Sequence, residues 1–281
     1  MIITTSLLHN LPLTIAANMD LGPLDSDRKY LLFFSNALSR VGPKLNWMPE
    51  DKVEDICKKW IGITCTHSMA DSSTAGKAKL ADPNRVGAIQ LPGQGLYGPI
   101  APNSIGKLDA LENFHLKHNS LYGSIPPDIF HIPSLISINL QDNKLCGDLP
   151  VFHNHPPNLL VVDLSKNSFT GPISSIFGKT TKLKYLNLSI NMFSGNIPHF
   201  EELKLDILDL SHNELDGPIP APFQRFPLDS FGENPRLCGK PLTNYCPVQP
   251  PAYPPSITAA HSNKLGAIAL LGSSTILLLI L

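Results

Sequence analysis

The sequence lacks an excess of charge of either sign and carries little charge altogether. Only 16% of its 281 residues are charged, and the formal net charge at pH 7 is −1. This balance excludes a basic surface that would attract nucleic acid, and it excludes an acidic tail. The 27 prolines are many for a globular protein, whereas a disordered chain would carry more charge and fewer large apolar residues. We therefore expect an apolar folded body with turn-rich or spacer segments.

The sequence also lacks the spacings that zinc sites and common catalytic groups require. The C-x₂₋₄-C spacing of a zinc site, with a second such pair, does not occur. His153 with His155, and His115 with His118, have no third ligand nearby in the sequence, so we interpret them as surface histidines. No nucleophile–base arrangement and no pair of acids spaced for catalysis is recognisable. We predict a non-catalytic chain that uses neither a metal nor a cofactor.

Four of the five cysteines fall into two pairs of equal spacing. Cys57 and Cys65 enclose seven residues, and so do Cys238 and Cys246. Four cysteines allow three pairings, but local pairing is favoured because the two pairs flank the whole central region. A disulfide framework implies an oxidising compartment, and free thiols in a cytosolic protein are the alternative. Cys146 remains as a lone thiol or as a partner in an intermolecular disulfide.

Five segments in the middle of the chain repeat the pattern L-x-x-L-x-L-x-x-N-x-L-x-G-x-I-P. They are LENFHLKHNSLYGSIP from residue 111, LISINLQDNKLCGDLP from 135, LLVVDLSKNSFTGPIS from 159, LKYLNLSINMFSGNIP from 183 and LDILDLSHNELDGPIP from 205. Their asparagines follow one another in three steps of 24 residues and one of 22. A period of this length with this consensus indicates the leucine-rich repeat, an α/β solenoid.

Each position of the repeat has a physical role. The alternating leucines form a short strand, with apolar side chains turned inward and the residues between them turned outward. The asparagine that follows bonds to nearby backbone, and stacked asparagines satisfy buried backbone groups that have no strand partner. The predicted asparagine ladder consists of Asn119, Asn143, Asn167, Asn191 and Asn213. Because no repeat buries its apolar face alone, both ends of the stack need caps.

The stretch IQLPGQGLYGPI at residues 89–100 contains G-x-G-x-x-G, the spacing of nucleotide-binding loops. That fingerprint requires a helix after the glycines, whereas Pro99 follows the third glycine at once. In the register of the repeats, Ile89 and Leu91 take the strand positions and Gln94 takes the asparagine position. We therefore interpret the stretch as a first, degenerate repeat, which brings the predicted number to six.

The segments on either side of the repeats have the composition of caps. Residues 25–42 predict an amphipathic helix that is capped by Asp25 or Ser26 and ends at Gly42. The residues on its apolar face are Leu31, Phe34 and Leu38. Trp47 lies before the first cysteine pair and Trp60 lies within it, and both are expected to act as large apolar plugs. Residues 223–246 close the other end with aromatic side chains and the second pair.

These cap segments and the first repeat carry a specific resemblance. SDRKYLLFFSNALSRVGPKLNW, CKKWIGITC, RVGAIQLPGQGLYGPIAPNSIGKLDAL and NPRLCGKPL are similar to the ectodomains of plant leucine-rich-repeat receptor-like kinases with short ectodomains, among them pollen receptor-like kinases and probable inactive receptor kinases. The resemblance covers roughly residues 25–246. It implies a curved right-handed solenoid that binds peptides or partner receptors outside the cell. The chain departs from the pattern in its long 66–84 link and in lacking the V-A-I-K, H-R-D and D-F-G motifs of a kinase.

The combined interpretation divides the chain into seven segments. They are a weak signal peptide (1–19), an N-terminal cap (25–66), a loop insertion (67–84), the solenoid of six repeats (85–222), a C-terminal cap (223–246), a proline-rich stalk (247–264) and an apolar membrane-anchor segment (265–281). The signal peptide is weak because no Lys or Arg precedes its apolar run. Three interpretations of residues 265–281 stay open: a truncated transmembrane helix, a lipid-anchor signal and a core helix.

The residues between the strand leucines are expected to face solvent on the concave side of the solenoid. The candidate partner-facing positions are His115, Lys117, Asn139, Gln141, Asp163, Ser165, Tyr185, Asp209 and Ser211. The alternative is that they form a merely solvated sheet face. Asn187 begins the sequon Asn187-Leu188-Ser189 and is a predicted glycosylation site, or else an unmodified asparagine.

The sequence favours an extracellular recognition module at the plasma membrane, attached through its C-terminal segment. Its expected partner is a peptide or the ectodomain of another leucine-rich-repeat receptor, and nucleic acid is not expected. Two alternatives remain open at this stage. The first is a secreted inhibitor of a wall-degrading enzyme, and the second is a fragment of a receptor kinase.

Overall fold

A computed structural model of the chain describes residues 22–40, 45–66, 85–150, 156–173, 177, 179–200 and 203–247. The predicted signal peptide, the 67–84 loop, nearly all of the stalk, the 265–281 segment and the histidines at 153 and 155 lie outside these residues. The described residues from 22 to 246 form one compact unit.

The described residues form two α-helices, α1 (Pro23–Asn36) and α2 (Ile56–Lys59), and a series of short strands. The strands are β1 (Ser39–Arg40), β2 (Ile63–Cys65), β3 (Val86–Gln90), β4 (Leu96–Pro99), β5 (Asn113–His115), β6 (Ser120–Gly123), β7 (Ser137–Asn139), β8 (Lys144–Asp148), β9 (Val161–Asp163), β10 (Ser168–Thr170), β11 (Tyr185–Asn187), β12 (Ser194–Asn196), β13 (Ile207–Asp209), β14 (Glu214–Pro218) and β15 (Arg236–Cys238). Short 3₁₀ turns occur at Val53–Asp55, Ile105–Lys107, Pro127–His131, Ala221–Phe223 and Leu228–Ser230.

The strands assemble into three sheets. The main sheet has seven strands in the order β13-β11-β9-β7-β5-β3-β2, and its members from β3 to β13 are parallel. A second sheet has the order β1-β4-β6-β8-β10, and a third has the order β12-β14-β15. Each repeat thus supplies one strand to the main sheet and a second strand to a flanking sheet, as a leucine-rich-repeat solenoid requires.

The core lies between the main sheet and the flanking sheets and is built from the consensus positions. Leu116, Leu140, Leu164 and Leu188, one from each of four successive repeats, are completely buried. Ile89 and Leu91 are also completely buried, and β3 pairs in parallel with β5. The degenerate stretch at 89–100 is therefore the first repeat, as predicted.

The predicted helix of the N-terminal cap has other bounds in the structure. It begins at Pro23, because proline suits the first turn of a helix, and Asp25 bonds Arg28 instead of capping the start. It ends at Asn36, so the predicted end at Gly42 is wrong and Leu38 lies beyond the helix. The chain leaves the helix there because Ser39–Arg40 forms an antiparallel pair with β4, in which Ser39 faces Tyr97.

Gly98 is the third glycine of the nucleotide-like spacing, and its role is steric. Its φ angle is +139°, and a Cβ atom at this position would lie 2.8 Å from the carbonyl oxygen of Ala37. Glycine therefore allows the end of the cap helix to approach the second sheet closely.

Both caps are closed by a disulfide and by aromatic packing. Cys57 is bonded to Cys65, and Cys238 is bonded to Cys246, which confirms the local pairing. Trp47 and Trp60 stack with ring centroids 5.4 Å apart, and each is buried. Their indole nitrogens donate to the carbonyl oxygen of Ile61 and to the carboxylate of Asp51. Buried indoles with satisfied N–H groups close the N-terminal end of the core.

Candidate recognition surface

The asparagine ladder fixes the turn that follows each strand of the main sheet. Asn167 donates from Nδ2 to the carbonyl oxygens of Leu140, Leu164 and Ser165 at 3.0–3.1 Å. Its Oδ1 accepts from the backbone N–H of Leu145 at 3.0 Å. One side chain thus joins its own repeat to the preceding one and satisfies backbone groups that no strand partner reaches. The same arrangement of hydrogen bonds occurs at the other predicted ladder positions, Asn119, Asn143, Asn191 and Asn213.

In the structure the ladder extends further toward the C-terminus than the repeats predict. Gln94 stands at the first ladder position, and its amide donates to the carbonyl oxygen of Pro92, two residues earlier, as the ladder asparagines also do. At the other end, Asn234 makes the full set of ladder bonds, including one to the carbonyl oxygen of Leu210. The repeat pattern does not predict Asn234, for two reasons. Asn234 comes only 21 residues after Asn213, and phenylalanine replaces the leucine that stands three residues before the other ladder asparagines.

The outward-facing side chains of the main sheet form a surface that we call the open face. Its central row follows the strand register from β3 to β13, one residue from each strand. The row consists of Gln90, His115, Asn139, Asp163, Asn187 and Asp209. The first half of the row, Gln90, His115 and Asn139, is neutral at pH 7 when His115 is uncharged. The second half, Asp163, Asn187 and Asp209, contains both carboxylates of the row. Gln90 was not among the predicted positions, and the register of the first repeat places it there.

A serine two residues after the central row shapes the second half of this face. The Ser165 hydroxyl and backbone N–H both donate to Asp163 Oδ1, at 2.7 and 3.1 Å. Ser211 bonds Asp209 Oδ1 in the same way at 2.7 and 3.0 Å. Because these short side chains fold back onto a carboxylate, Asp163 is only 5% exposed and Ser165 only 1%. The expectation that all predicted positions face solvent is therefore wrong for Asp163, Ser165 and Ser211, which are buried.

The remaining predicted positions are partly accessible. They are His115, Lys117, Asn139, Gln141, Tyr185 and Asp209, each of them half-buried on the open face. His115 Nε2 lies 2.8 Å from Ser137 Oγ, and burial together with the charge of Lys117 lowers the pKa of His115 below its ordinary value. Burial also raises the pKa of Tyr185, whose hydroxyl lies 3.4 Å from Asp163 Oδ2.

The two histidines of the second repeat have separate partners. His118 Nδ1 lies 2.8 Å from Asp142 Oδ2, whereas His115 contacts Ser137. Within the residues that the structure describes, no group of three or more His, Cys, Asp or Glu side chains is arranged to hold a metal ion. Cys146 has an exposed free thiol.

Comparison with known proteins agrees with this geometry. The Leucine Rich Repeat family model matches residues 158–180 and 204–226. The chain is a leucine-rich-repeat protein. A probable inactive receptor kinase of Arabidopsis thaliana is 49% identical to this leucine-rich-repeat protein over 250 residues, which cover 86% of the chain and 35% of the relative. The match thus spans about a third of the relative's length.

Solved ectodomains of plant receptors have the same fold as this leucine-rich-repeat protein. The crystal structure of a pollen receptor kinase 3 matches with a TM-score of 0.63 at 29% identity, covering 77% of this chain and 99% of that one. The BIR3–SERK2 complex from Arabidopsis thaliana matches with a TM-score of 0.52 at 28% identity, covering 78% and 98%. The region that matches these ectodomains is a non-catalytic repeat region, and the likeness indicates the cell surface. In the described part of the chain, no helix combines the length and apolarity needed to cross a bilayer.

Proposed function

We propose that the protein is an extracellular recognition module of plant cell-surface signalling, which binds a peptide or the ectodomain of a partner receptor through its open face. The observation that carries this proposal is the central row, a continuous line of polar side chains across parallel strands. Such a line suits contact with another polypeptide, because the polar groups fix register while the sheet provides area. A similar ectodomain has been crystallised in a complex of two such proteins, BIR3 and SERK2.

The proposal is tested by capture of surface proteins from intact plant cells. The full chain, expressed with its own ends and an affinity tag, is compared with Asn139→Arg, which places a large cation in the middle of the central row. Lys144→Glu is the matched control, because Lys144 is exposed on the second sheet. We expect the control to capture the same membrane receptor or peptide as the wild-type chain and Asn139→Arg to lose it. Equal capture by all three chains would contradict the proposal.

We also propose that the C-terminal segment attaches the module to the plasma membrane, with the repeats outside the cell. Two disulfides in the caps support an oxidising compartment. Residues 265–281 contain no charged side chain, which supports a membrane contact. Fractionation of plant cells should place the full chain in the membrane pellet, while a chain ending at residue 264 should appear in the medium. Recovery of the full chain only from the soluble wall fraction would favour a secreted inhibitor of a wall-degrading enzyme instead.

A further inference from the structure

We propose that Asn187 carries an N-linked glycan that stands over the second half of the open face and leaves the first half for the polypeptide partner. The proposal rests on the secretory route of the proposed function. Asn187-Leu188-Ser189 has the acceptor pattern for this modification, and Asn187 is the last residue of β11, with its side chain on the open face. A glycan at this position would project from the sheet face and not from a loop.

The reaction attaches the sugar at the Asn187 amide nitrogen. In the secretory pathway the donor is a lipid-linked oligosaccharide diphosphate. The bond from Nδ2 to the sugar C1 forms as the bond from C1 to the diphosphate oxygen breaks. The diphosphate leaves with the electron pair, and Nδ2 loses one proton. One N–H of Asn187 therefore remains after the reaction.

The hydrogen bonds of Asn187 are compatible with this modification. Its Oδ1 accepts from the backbone N–H and the hydroxyl of Ser189, at 3.0 and 2.8 Å. Its Nδ2 lies 3.4 Å from the Tyr185 hydroxyl, which is a weak contact at most. Replacement of one N–H hydrogen by a sugar therefore leaves the bonds to Ser189 intact.

The ladder asparagines are built in the opposite way. Asn191 donates from Nδ2 to three carbonyl oxygens, those of Leu164, Leu188 and Ser189, at 3.0–3.2 Å. A sugar on such a nitrogen would break several backbone contacts between repeats. The hydrogen bonds thus distinguish Asn191, whose amide nitrogen binds three backbone carbonyls, from Asn187, whose amide nitrogen makes at most a weak contact with Tyr185.

The neighbouring repeats show that the fold does not need an amide at position 187. Asp163 with Ser165, and Asp209 with Ser211, make the same two bonds from serine to Oδ1. Aspartate therefore satisfies this turn as well as asparagine does. An electrostatic explanation for asparagine at position 187 is also available. Aspartate there would place three carboxylates on adjacent strands about 4.8 Å apart, and these like charges would repel one another. The experiment separates this reason from glycosylation.

The position in the central row determines what a glycan would cover. Asn187 is flanked in register by Asp163 and Asp209, whereas His115 and Asn139 lie on the strands nearer the N-terminal cap. Tyr185 lies two residues earlier on the same strand and face, so its half-buried ring offers a surface for the first sugar. The partner would then contact the His115–Asn139 half of the row.

The test is the state of residue 187 in the full chain expressed in plant cells. Peptide mass spectrometry with and without peptide N-glycosidase should show that the enzyme removes a glycan from Asn187 of the wild-type chain and converts the residue to aspartate. The corresponding peptides of Asn187→Asp and Ser189→Ala should have the same mass with and without the enzyme. Asp209→Asn is the matched gain-of-site variant, because it creates Asn-Leu-Ser in a turn of identical geometry. We expect that variant to carry a second glycan.

Each outcome separates the two proposals. If the chain is secreted with its cap disulfides formed but Asn187 is unmodified, the glycan proposal is wrong and the proposed function stands. This result is clearest if Asp209→Asn carries a glycan at residue 209, because the modification is then available to the chain. Reduced cap cysteines with no glycan at either site overturn the secretory route and hence the proposed function. If Asp209→Lys abolishes partner capture as completely as Asn139→Arg does, the division of the open face is wrong even where the glycan is present.

Discussion

The Asp27 carboxylate forms a bidentate ion pair with the Arg85 guanidinium, with N–O distances of 2.9 and 2.7 Å. Asp27 lies in α1 and is 1% exposed, and its Oδ2 also accepts the backbone N–H of Val86 at 2.9 Å. Arg85 contacts Asp109 as well, and these carboxylates raise the pKa of the guanidinium. Fifty-eight residues separate the paired side chains, so this contact joins the N-terminal cap to the first strand of the solenoid.

Removal of the Asp27 charge should loosen the cap. Asp27→Asn leaves Arg85 partly buried without its main counter-ion, and breaking such a pair costs about 3 kcal/mol or more in the free energy of unfolding. Asp25→Asn, in the same helix, is the control, because a partly exposed pair such as Asp25–Arg28 contributes about 1 kcal/mol at most. Urea denaturation of the purified variants measures the free energy of unfolding of both. Equal destabilisation by the two variants would contradict a special role for Asp27.

The ladder extension into the C-terminal cap predicts that Asn234 is as important as a consensus asparagine. Asn213 and Asn234 are each 5% exposed and each makes four hydrogen bonds to backbone groups. Replacement of either by alanine leaves several buried groups unsatisfied, and we expect a loss of about 2–4 kcal/mol for each.

Asn196→Ala, at an exposed position, is the control for this comparison and should change stability by about 0.5 kcal/mol or less. Thermal and urea unfolding would compare the three variants. A loss at Asn213 without a comparable loss at Asn234 would show that the ladder ends before the cap.

The backbone of Ile190 adopts a conformation that is unfavourable for a residue with a branched side chain. Its φ angle is +55°, in the left-handed region, and the side chain is 44% exposed. The equivalent positions of other repeats, immediately before the ladder asparagine, also have positive φ but hold polar residues such as Lys166 and His212. Ile190→Asn should therefore stabilise the fold by about 1 kcal/mol, because asparagine tolerates this region.

The control for Ile190 is another exposed isoleucine with no backbone strain. Ile207 is 52% exposed and lies in β13, where the backbone is extended. Ile207→Asn should give no increase in the melting temperature. If both substitutions raise it equally, reduced apolar exposure and not backbone strain explains the effect.

The lowered pKa of His115 predicts a pH dependence of stability with a defined sign. The folded state holds the proton of His115 less tightly than the unfolded state does, so stability rises with pH. The contribution is fully present above the unfolded pKa of about 6.5 and is lost as the pH falls toward the lower folded pKa.

Urea unfolding of the wild-type chain and of His115→Gln should be compared between about pH 7.5 and pH 5.5. We expect the loss of stability on acidification to be smaller in His115→Gln, because the variant has no imidazole to protonate. His212→Gln, at an exposed position, should keep the wild-type dependence. An unchanged pH profile in His115→Gln would show that the burial of this imidazole has no energetic consequence.

The sequence alone determined the features that recur with the repeat. Asn119 and its four equivalents, the buried strand leucines and the local cysteine pairs follow from spacing, because each obeys a constraint that acts within one turn or between adjacent turns. The open-face register follows as well, because alternation along a strand decides which side chains point outward.

Only the tertiary structure decided the features that depend on distant or irregular contacts. The bond between Asp27 and Arg85 joins segments with no shared period, and Asn234 enters the ladder although its spacing departs from the repeat. The burial of Asp163 and Ser165 depends on how a serine folds back onto its neighbour. Periodicity tells which face a residue occupies, whereas its accessibility is decided by the side chains packed around it.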